Sequence, residues 1–295
     1  MPTYPFMQVD AFTKRPLAGN PCAIIFNADS LSDEQMLAIA KEMNLSETAF
    51  VLQSSMADVR ARYFTPAEEI PLAGHPTIAT IHALVETGQI QLQGDYTKIS
   101  LELQVGPIPI EIYKTGADVR VVMNQKKPDF LATFSPEVVM PHFGLEPADC
   151  LPNVPLQIVS TGTPQLMIPV RSIDVLRRLQ VNGATYPHFR QKAGFFGPHL
   201  FCLEGATKEG DTFARHPGFA PDLAEDPFTG SATGNMAAYL WHYGLLDKPT
   251  FTAEQGHWLD RPGLAHVEVV GPPDNIETVK VGGTAVTVMR GELVL

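Results

Sequence analysis

Two short segments of the chain carry the same device. Ala73-Gly74-His75-Pro76-Thr77 runs into the apolar stretch Ile78-Ala79-Thr80-Ile81-His82-Ala83-Leu84-Val85. Asp226-Pro227-Phe228-Thr229-Gly230-Ser231-Ala232-Thr233-Gly234 runs into Asn235-Met236-Ala237-Ala238-Tyr239-Leu240-Trp241. Each places small residues and a polar residue at the opening of an apolar helix. Gly74 and Gly230 lie 156 positions apart, roughly half of the 295-residue chain. The first turn of a helix leaves backbone N–H groups free at the positive end of the dipole, so it holds a carboxylate well. The repetition predicts two similar halves whose helix mouths face one acidic small molecule across a cleft.

The pattern between these segments is rich in short strands. Phe6 to Phe12 alternates like a half-buried strand, and Ala23 to Phe26, Thr48 to Leu52 and Val59 to Phe64 follow. Ser32 with Gln35 forms a capping box that opens a helix through Met36, Ile39, Ala40 and Met43. The first apolar helix is expected to open at His75, with Pro76 where a missing N–H costs nothing, and to close near Gly88. Strands are expected over Ile99–Leu103, Ile108–Tyr113 and Val119–Met123. Asn124 to Asn153 is richer in proline and reads as a crossing into the second half. Strands are then expected at Gln157–Gly162, Gln165–Val170, Phe195–Leu203 and Asp211–Ala214, with helical stretches around Val175 and Phe189. After the second apolar helix, from about Ser231 to Gly244, come strands at His266–Val270, Thr278–Val281 and Ala285–Met289. Both apolar helices are hydrophobic nearly all round, as a helix wrapped by strands must be. The fold class is therefore α+β with two similar domains rather than an alternating parallel sheet. The expected domains are residues 1–123 and 124–283, with a strand over about 284–295 returning to the first.

A formal net charge of −11 gives the chain no electrostatic footprint for nucleic acid or for an anionic membrane. An anionic substrate must then be held by a local site. Cys22, Cys150 and Cys202 are widely spaced, which suggests no disulfide framework and a reducing, cytoplasmic setting. The N-terminus lacks the pattern of a signal peptide, and no apolar run has the length of a membrane helix. Neither nucleotide-binding glycine fingerprint is present, and the histidines show no metal spacing, so no cofactor and no metal are expected.

Glu47, in Asn44-Leu45-Ser46-Glu47-Thr48-Ala49-Phe50, stands at the entrance to an apolar strand. Burial disfavours the charged form of a carboxyl, and a carboxyl tuned towards neutral pH both takes and gives a proton. The plain alternative is a solvated strand-end glutamate. His75 at a helix mouth is disfavoured as a cation and can donate a hydrogen bond, or it simply caps the helix. Asp226 can hold a substrate amine or hydroxyl, or cap the turn before the second helix. Ser231 can touch substrate or serve as an N-cap. Gly74 and Gly230 permit close backbone approach. A methyl added at Gly230 is expected to obstruct an anion while sparing the helix, since alanine is the better helix former.

Taken together, Asn44–Phe50, Ala73–Thr77 and Glu225–Gly234 resemble the PhzF (phenazine biosynthesis-like) family. Val9-Asp10-Ala11-Phe12-Thr13, Gly19-Asn20-Pro21 and Val281-Gly282-Gly283-Thr284-Ala285-Val286 match it as well, so the resemblance runs nearly end to end. It implies a diaminopimelate-epimerase-like fold, with two similar domains, each a β-barrel around a central helix. It also implies an active site between the domains and a homodimer. Glu47 matches the family's acid/base carboxylate, and His75 and Asp226 match its substrate-orienting and proton-relay groups. Ser231 matches a substrate-contacting hydroxyl, Asn20 a loop residue near the pocket, and Gly74 and Gly230 the backbone contacts at the two mouths. Phe228 is bulkier than the alanine or valine often found there and is expected to narrow the pocket. The epimerases and racemases of this fold carry a cysteine at each mouth. Here neither mouth has one, so a two-thiol mechanism is not expected. The resemblance implies a cofactor-independent isomerase that moves a proton on a small unsaturated carboxylic acid, as the family's best-known member does with 2,3-dihydro-3-hydroxyanthranilate. The alternatives are an epimerase or racemase of an acidic metabolite, and a dimeric binding protein without turnover.

Overall fold

The computed structural model describes residues 1–218 and 225–295. The first half contains β1 (Thr3–Ala11), β2 (Asn20–Ile25), α1 (Asp33–Met43), β3 (Glu47–Leu52), β4 (Val59–Phe64), β5 (Glu69–Ile70), α2 (Gly74–Glu86), β6 (Tyr96–Leu103), β7 (Gly106–Thr115) and β8 (Asp118–Asn124). The second contains β9 (Asp129–Phe134), α3 (Pro136–Val139), β10 (Leu156–Ser160), β11 (Pro164–Pro169), α4 (Ile173–Arg178), α5 (Tyr186–Ala193), β12 (Gly197–Cys202) and β13 (Thr212–Pro217). It continues with β14 (Glu225–Asp226), α6 (Gly230–His242), β15 (Thr250–Gln255), β16 (Gly263–Val270) and β17 (Thr278–Val294). The fold is mixed α+β, with one extensive sheet and few helices.

The two halves use one pairing scheme. β1–β2 is antiparallel, β2–β3 parallel, and β3–β4 and β4–β5 antiparallel. β4–β6 is parallel, and β6–β7 and β7–β8 are antiparallel. The second half repeats this order and these directions from β10 through β17. A parallel pair cannot be joined by a tight hairpin, so each needs a crossover. α1 supplies it between β2 and β3, and α4 with α5 between β11 and β12. α2 and α6 supply it between β4 and β6 and between β13 and β15. β17 also pairs with β8 and β1, which returns the first half's run of pairings to its starting strand.

α2 and α6 are buried on almost every side, which their apolar composition requires. Ala79, Ile81 and Ala83 in α2, and Ala232 and Met236 through Leu240 in α6, have no exposed surface. Each large apolar side chain so buried contributes about 1.5–3 kcal/mol relative to exposure. Both helices pack into a single apolar cluster with β1, β2, β16 and β17. α1 opens on the Ser32–Gln35 capping box and α2 gives way to Gly88, which takes a positive φ of 74°.

Besides the short strands β5 and β14, which the sequence reading does not include, the structure departs from it at three longer strands. β9 lies in the proline-rich stretch, where it pairs with β10. Its outer face is exposed, so it carries no alternating apolar signal. β15 was not expected, and it fills the position equivalent to β6. The segments Thr278–Val281 and Ala285–Met289 are one continuous strand through Gly282-Gly283. A Cβ at Gly282 would lie 2.9 Å from Val122 Cγ2, and one at Gly283 2.5 Å from Phe12 Cδ1. The glycines mark close approach, not a break.

Candidate active site

α2 and α6 meet end to end at their N-termini. A Cβ on Gly74 would lie 2.7 Å from Gly230 Cα and 2.9 Å from Ser231 N. A Cβ on Gly230 would lie 3.2 Å from Gly74 Cα and 2.9 Å from Phe12 Cζ. The mouths therefore face each other: a methyl on Gly74 would run into the backbone of the opposite helix, and one on Gly230 into the Phe12 ring first and then Gly74 Cα. The expectation that a methyl at Gly230 spares stability is thus corrected. α2 opens at Gly74 and α6 at Gly230, one residue earlier than the sequence reading, and neither N-cap residue, Ala73 or Thr229, makes a side-chain cap. His75 and Ser231 are the second residues of their helices and cap neither, while Pro76 is the third residue of α2.

Each mouth is braced by the same frame. Arg62 Nε and Nη2 donate to Glu69 Oε1 and Oε2 at 2.8 and 2.6 Å, tying β4 to β5. Arg215 Nε donates to Glu225 Oε1 at 2.9 Å and its Nη2 to Oε2, tying β13 to β14. Such fork-on-fork pairs fix geometry as well as charge. Glu69 and Glu225 stand five residues before Gly74 and Gly230, so the frames superpose residue for residue into the helices.

β3 places Glu47 beside α2, with its Oε2 at 3.2 Å from His75 Nε2. The His75 side chain is 3% exposed and that of Glu47 14%. Asn20, the first residue of β2, presents its amide nitrogen to His75 Nδ1 at 2.9 Å, to Asp226 Oδ1 at 2.7 Å and to the Phe228 carbonyl at 2.8 Å. An amide nitrogen accepts no hydrogen bond, so His75 Nδ1 carries no proton and Nε2–H faces Glu47. Burial pushes the His75 imidazole down to about 4, against the Asp226 carboxylate, which pulls it up. A neutral imidazole thus packs beside the carboxyl of Glu47, close to it but without a hydrogen bond between them. Asp226 also accepts from Ser46 Oγ at 2.9 Å and from Thr229 Oγ1. It thereby ties Asn20 and Ser46 of the first half to Thr229 of the second while lining the cavity. Asn20 is fully buried behind the cavity wall, where it orients His75.

Asp10 explains the match around Val9–Thr13. It accepts from Arg261 Nη2 and from the Leu17 N–H, both at 2.7 Å, and so fixes the loop that leads to Asn20. Phe12 holds a positive φ of 61° and stacks on Phe228 with ring centroids 4.2 Å apart. Phe228 is fully buried in that stack and does not line the cavity, so the expected narrowing does not occur. On the second side Gln165 Nε2 donates to Ser231 Oγ at 3.2 Å, and Asn235 Nδ2 donates to Gln165 Oε1 at 2.7 Å.

Between the mouths lies a cavity of about 340 Å³ lined by Glu47, Gly74, His75, Asp226, Gly230 and Ser231. Leu72, Phe196 and Pro217 give it apolar walls. Sequence reasoning missed Tyr186, Arg190, Gly197 and His216, which also line it. They sit on three separate elements with no recognisable motif, but laying the halves over each other from the Arg–Glu frames places His216 opposite Tyr63. Cys22 lies beside Glu47 on the neighbouring strand, yet its thiol is fully buried, and burial first, then Glu47, pushes it well above the usual range. Cys150 and Cys202 are buried elsewhere. Among the described residues no cluster of three His, Cys, Asp or Glu is placed to hold a metal ion, and no helix is long and apolar enough to cross a membrane.

Residues 9–291 match the family model of the phenazine biosynthesis-like proteins. The trans-2,3-dihydro-3-hydroxyanthranilate isomerase of Pseudomonas chlororaphis is 32% identical over 98% of this chain and 99% of its own. The crystal structure of a PhzF-family phenazine biosynthesis protein from Bacillus anthracis has a TM-score of 0.88 at 33% identity, covering 100% of both chains. A hydroxyproline epimerase from Agrobacterium vitis, 12% identical, shares the fold with a TM-score of 0.70 over 99% of this chain and 93% of its own. The chain belongs to the PhzF (phenazine biosynthesis-like) family and is an isomerase.

Proposed function

We propose that this member of the PhzF family moves a proton between two carbons of a small unsaturated carboxylic acid, with Glu47 as the single acid/base group. The observation that carries the reading is Glu47 Oε2 at 3.2 Å from His75 Nε2, on a cavity floored by two helix N-termini without side-chain caps. The free N–H groups of the two first turns, with the hydroxyl of Ser231, receive the substrate carboxylate. Carboxylate binding there draws electron density out of the conjugated system and makes the adjacent C–H more acidic. Glu47 as carboxylate takes that proton, and the electron pair spreads along the conjugated system. Glu47 as carboxylic acid then returns the proton at another carbon. No electron is gained or lost overall, so the reaction as written needs no cofactor. His75, neutral and held by Asn20, stands 3.2 Å from Glu47 Oε2 and limits where the carboxyl can turn.

The test uses trans-2,3-dihydro-3-hydroxyanthranilate in D2O, with deuterium incorporation read by mass spectrometry. The wild-type protein is expected to incorporate label and Glu47→Gln to lose about 10²–10⁴ in rate. Equal labelling by the two proteins would overturn the assignment of Glu47. Binding without any labelling by the wild type would favour a binding protein.

A further inference from the structure

His216 is a buried imidazole that the proton-transfer scheme does not use. It lines the cavity although it is only 6% exposed. Its Nδ1 points into the protein, 3.4 Å from His199 Nδ1. Its Nε2 sits over Gly197, where a Cβ would lie 2.5 Å from Nε2 and 2.9 Å from Cε1. Gly197 itself lines the cavity. The space for this ring is therefore built in by a glycine on the neighbouring strand. His199 behind it is fully buried, with Nε2 lacking a hydrogen-bond partner. A buried polar atom left unpaired costs stability, so such a pair persists where the site uses it.

The first half shows what this position does when it serves structure alone. Tyr63, the counterpart of His216, is fully buried and its hydroxyl meets Thr77 Oγ1 at 3.0 Å, bracing α2. Thr77 and its counterpart Thr233 both donate back into their own helices, to Ala73 O and Thr229 O, but in the second half the ring position lines the cavity and holds an imidazole.

We propose that His216 is a specificity-determining residue, its Nε2 hydrogen-bonding a hydroxyl or amino substituent on the body of the substrate. The inference rests on the reading of the cavity as the substrate site. Burial first, with Arg190 in the same direction, outweighs the pull of Asp226 and holds the ring down at about 4. The neutral ring offers at Nε2 either an N–H or a lone pair, according to which nitrogen carries the proton, and a hydroxyl or amino group can meet either.

Benzoate, anthranilate and 3-hydroxybenzoate are the probes, titrated calorimetrically into wild type, His216→Phe, His216→Gln and His216→Asn. Wild type is expected to bind at least one substituted acid about tenfold more tightly than benzoate, the worth of one buried hydrogen bond. His216→Phe should lose that preference and keep benzoate affinity. His216→Gln, whose amide reaches the place of Nε2, should retain it, and His216→Asn, whose amide reaches only the place of Nδ1, should not. If His216→Phe fails to fold, the Gln and Asn pair carries the same comparison. A preference that survives in His216→Phe and His216→Asn, or a parallel loss for all three acids, overturns the inference and leaves Glu47 chemistry standing. No binding of any probe to wild type overturns the inference together with the reading beneath it.

Discussion

At the first mouth the shared frame carries Ile70 and His75, with Glu47 on the adjoining strand. At the second mouth the equivalent positions hold Asp226 and Ser231, with Gly197 opposite Gln165 where Glu47 stands opposite Cys22. The backbone device is repeated, and the chemistry placed on it is not. A proton exchanger that works from both faces of a carbon needs an acid/base group at each mouth. Here one mouth presents a carboxyl beside a neutral imidazole, and the other presents a hydroxyl, glycine and an aspartate engaged by Asn20, Ser46 and Thr229. Under the proposed function the first mouth moves the proton and the second holds and reads the substrate.

The most direct way to break this comparison is to exchange side chains that it sets apart. Glu47→Gln should cost about 10²–10⁴ in proton-transfer rate. Ser231→Ala should act on the other term and raise KM, with kcat much less changed. Equal losses in kcat for the two variants, measured by deuterium incorporation, would erase the division of labour. A smaller effect probes what the mouths share. Gly74→Ala and Gly230→Ala each push a methyl into the opposite helix, so each should destabilise by about 1–3 kcal/mol despite the gain in helix propensity. Thermal melts of both variants read this, and a melt unchanged from wild type would mean that the helix ends do not touch.

The pH dependence of stability sharpens the comparison further, because each half buries one histidine against the cavity. His75 and His216 both stand at about 4, below the ordinary 6.5, with burial as the chief cause. Between these values the unfolded chain binds protons that the folded chain refuses. Stability is therefore full above about 6.5 and falls as the pH drops towards about 4. Urea midpoints across that window should decline, and His75→Gln should flatten part of the decline. The smallest expected effect is none at all: replacing Cys22, Cys150 and Cys202 with alanine should leave the deuterium-incorporation rate intact, and its loss would bring thiol chemistry back.

Much of the site was legible because it is written in contiguous segments. Gly74, His75, Asp226, Gly230 and Ser231 lie within two short runs, and the half-chain spacing announces that the runs face each other. Glu47 was legible through its place at a strand entrance. Asn20 is legible as a loop residue through its Gly-Asn-Pro run, but its burial between His75 and Asp226 depends on a 206-residue separation that no local pattern encodes. The cavity wall was not legible, since Tyr186, Arg190, Gly197 and His216 become neighbours only when α5, β12 and β13 pack together. Phe228 was misjudged for the same reason: its position beside the mouth suggested the pocket, whereas the positive φ of Phe12 turns a second ring under it. β9 and the continuity of β17 were hidden because an exposed face and a glycine pair both imitate loops.

β17 has a consequence for biosynthesis. Its residues Ala285 to Val294 pair with Ala11 to Thr3, so β1 waits for a strand that lies most of the given sequence away. During translation the first half can form α2 and its run from β1 to β8, but β1 and β8 each keep an unpaired edge until β17 emerges. Open edges are templates for pairing with other chains, and contacts between distant residues form slowly. The nascent protein is thus most exposed to misassembly just before β17 emerges. Shortening the chain from the C-terminus should lower soluble yield before it touches a single residue of the cavity.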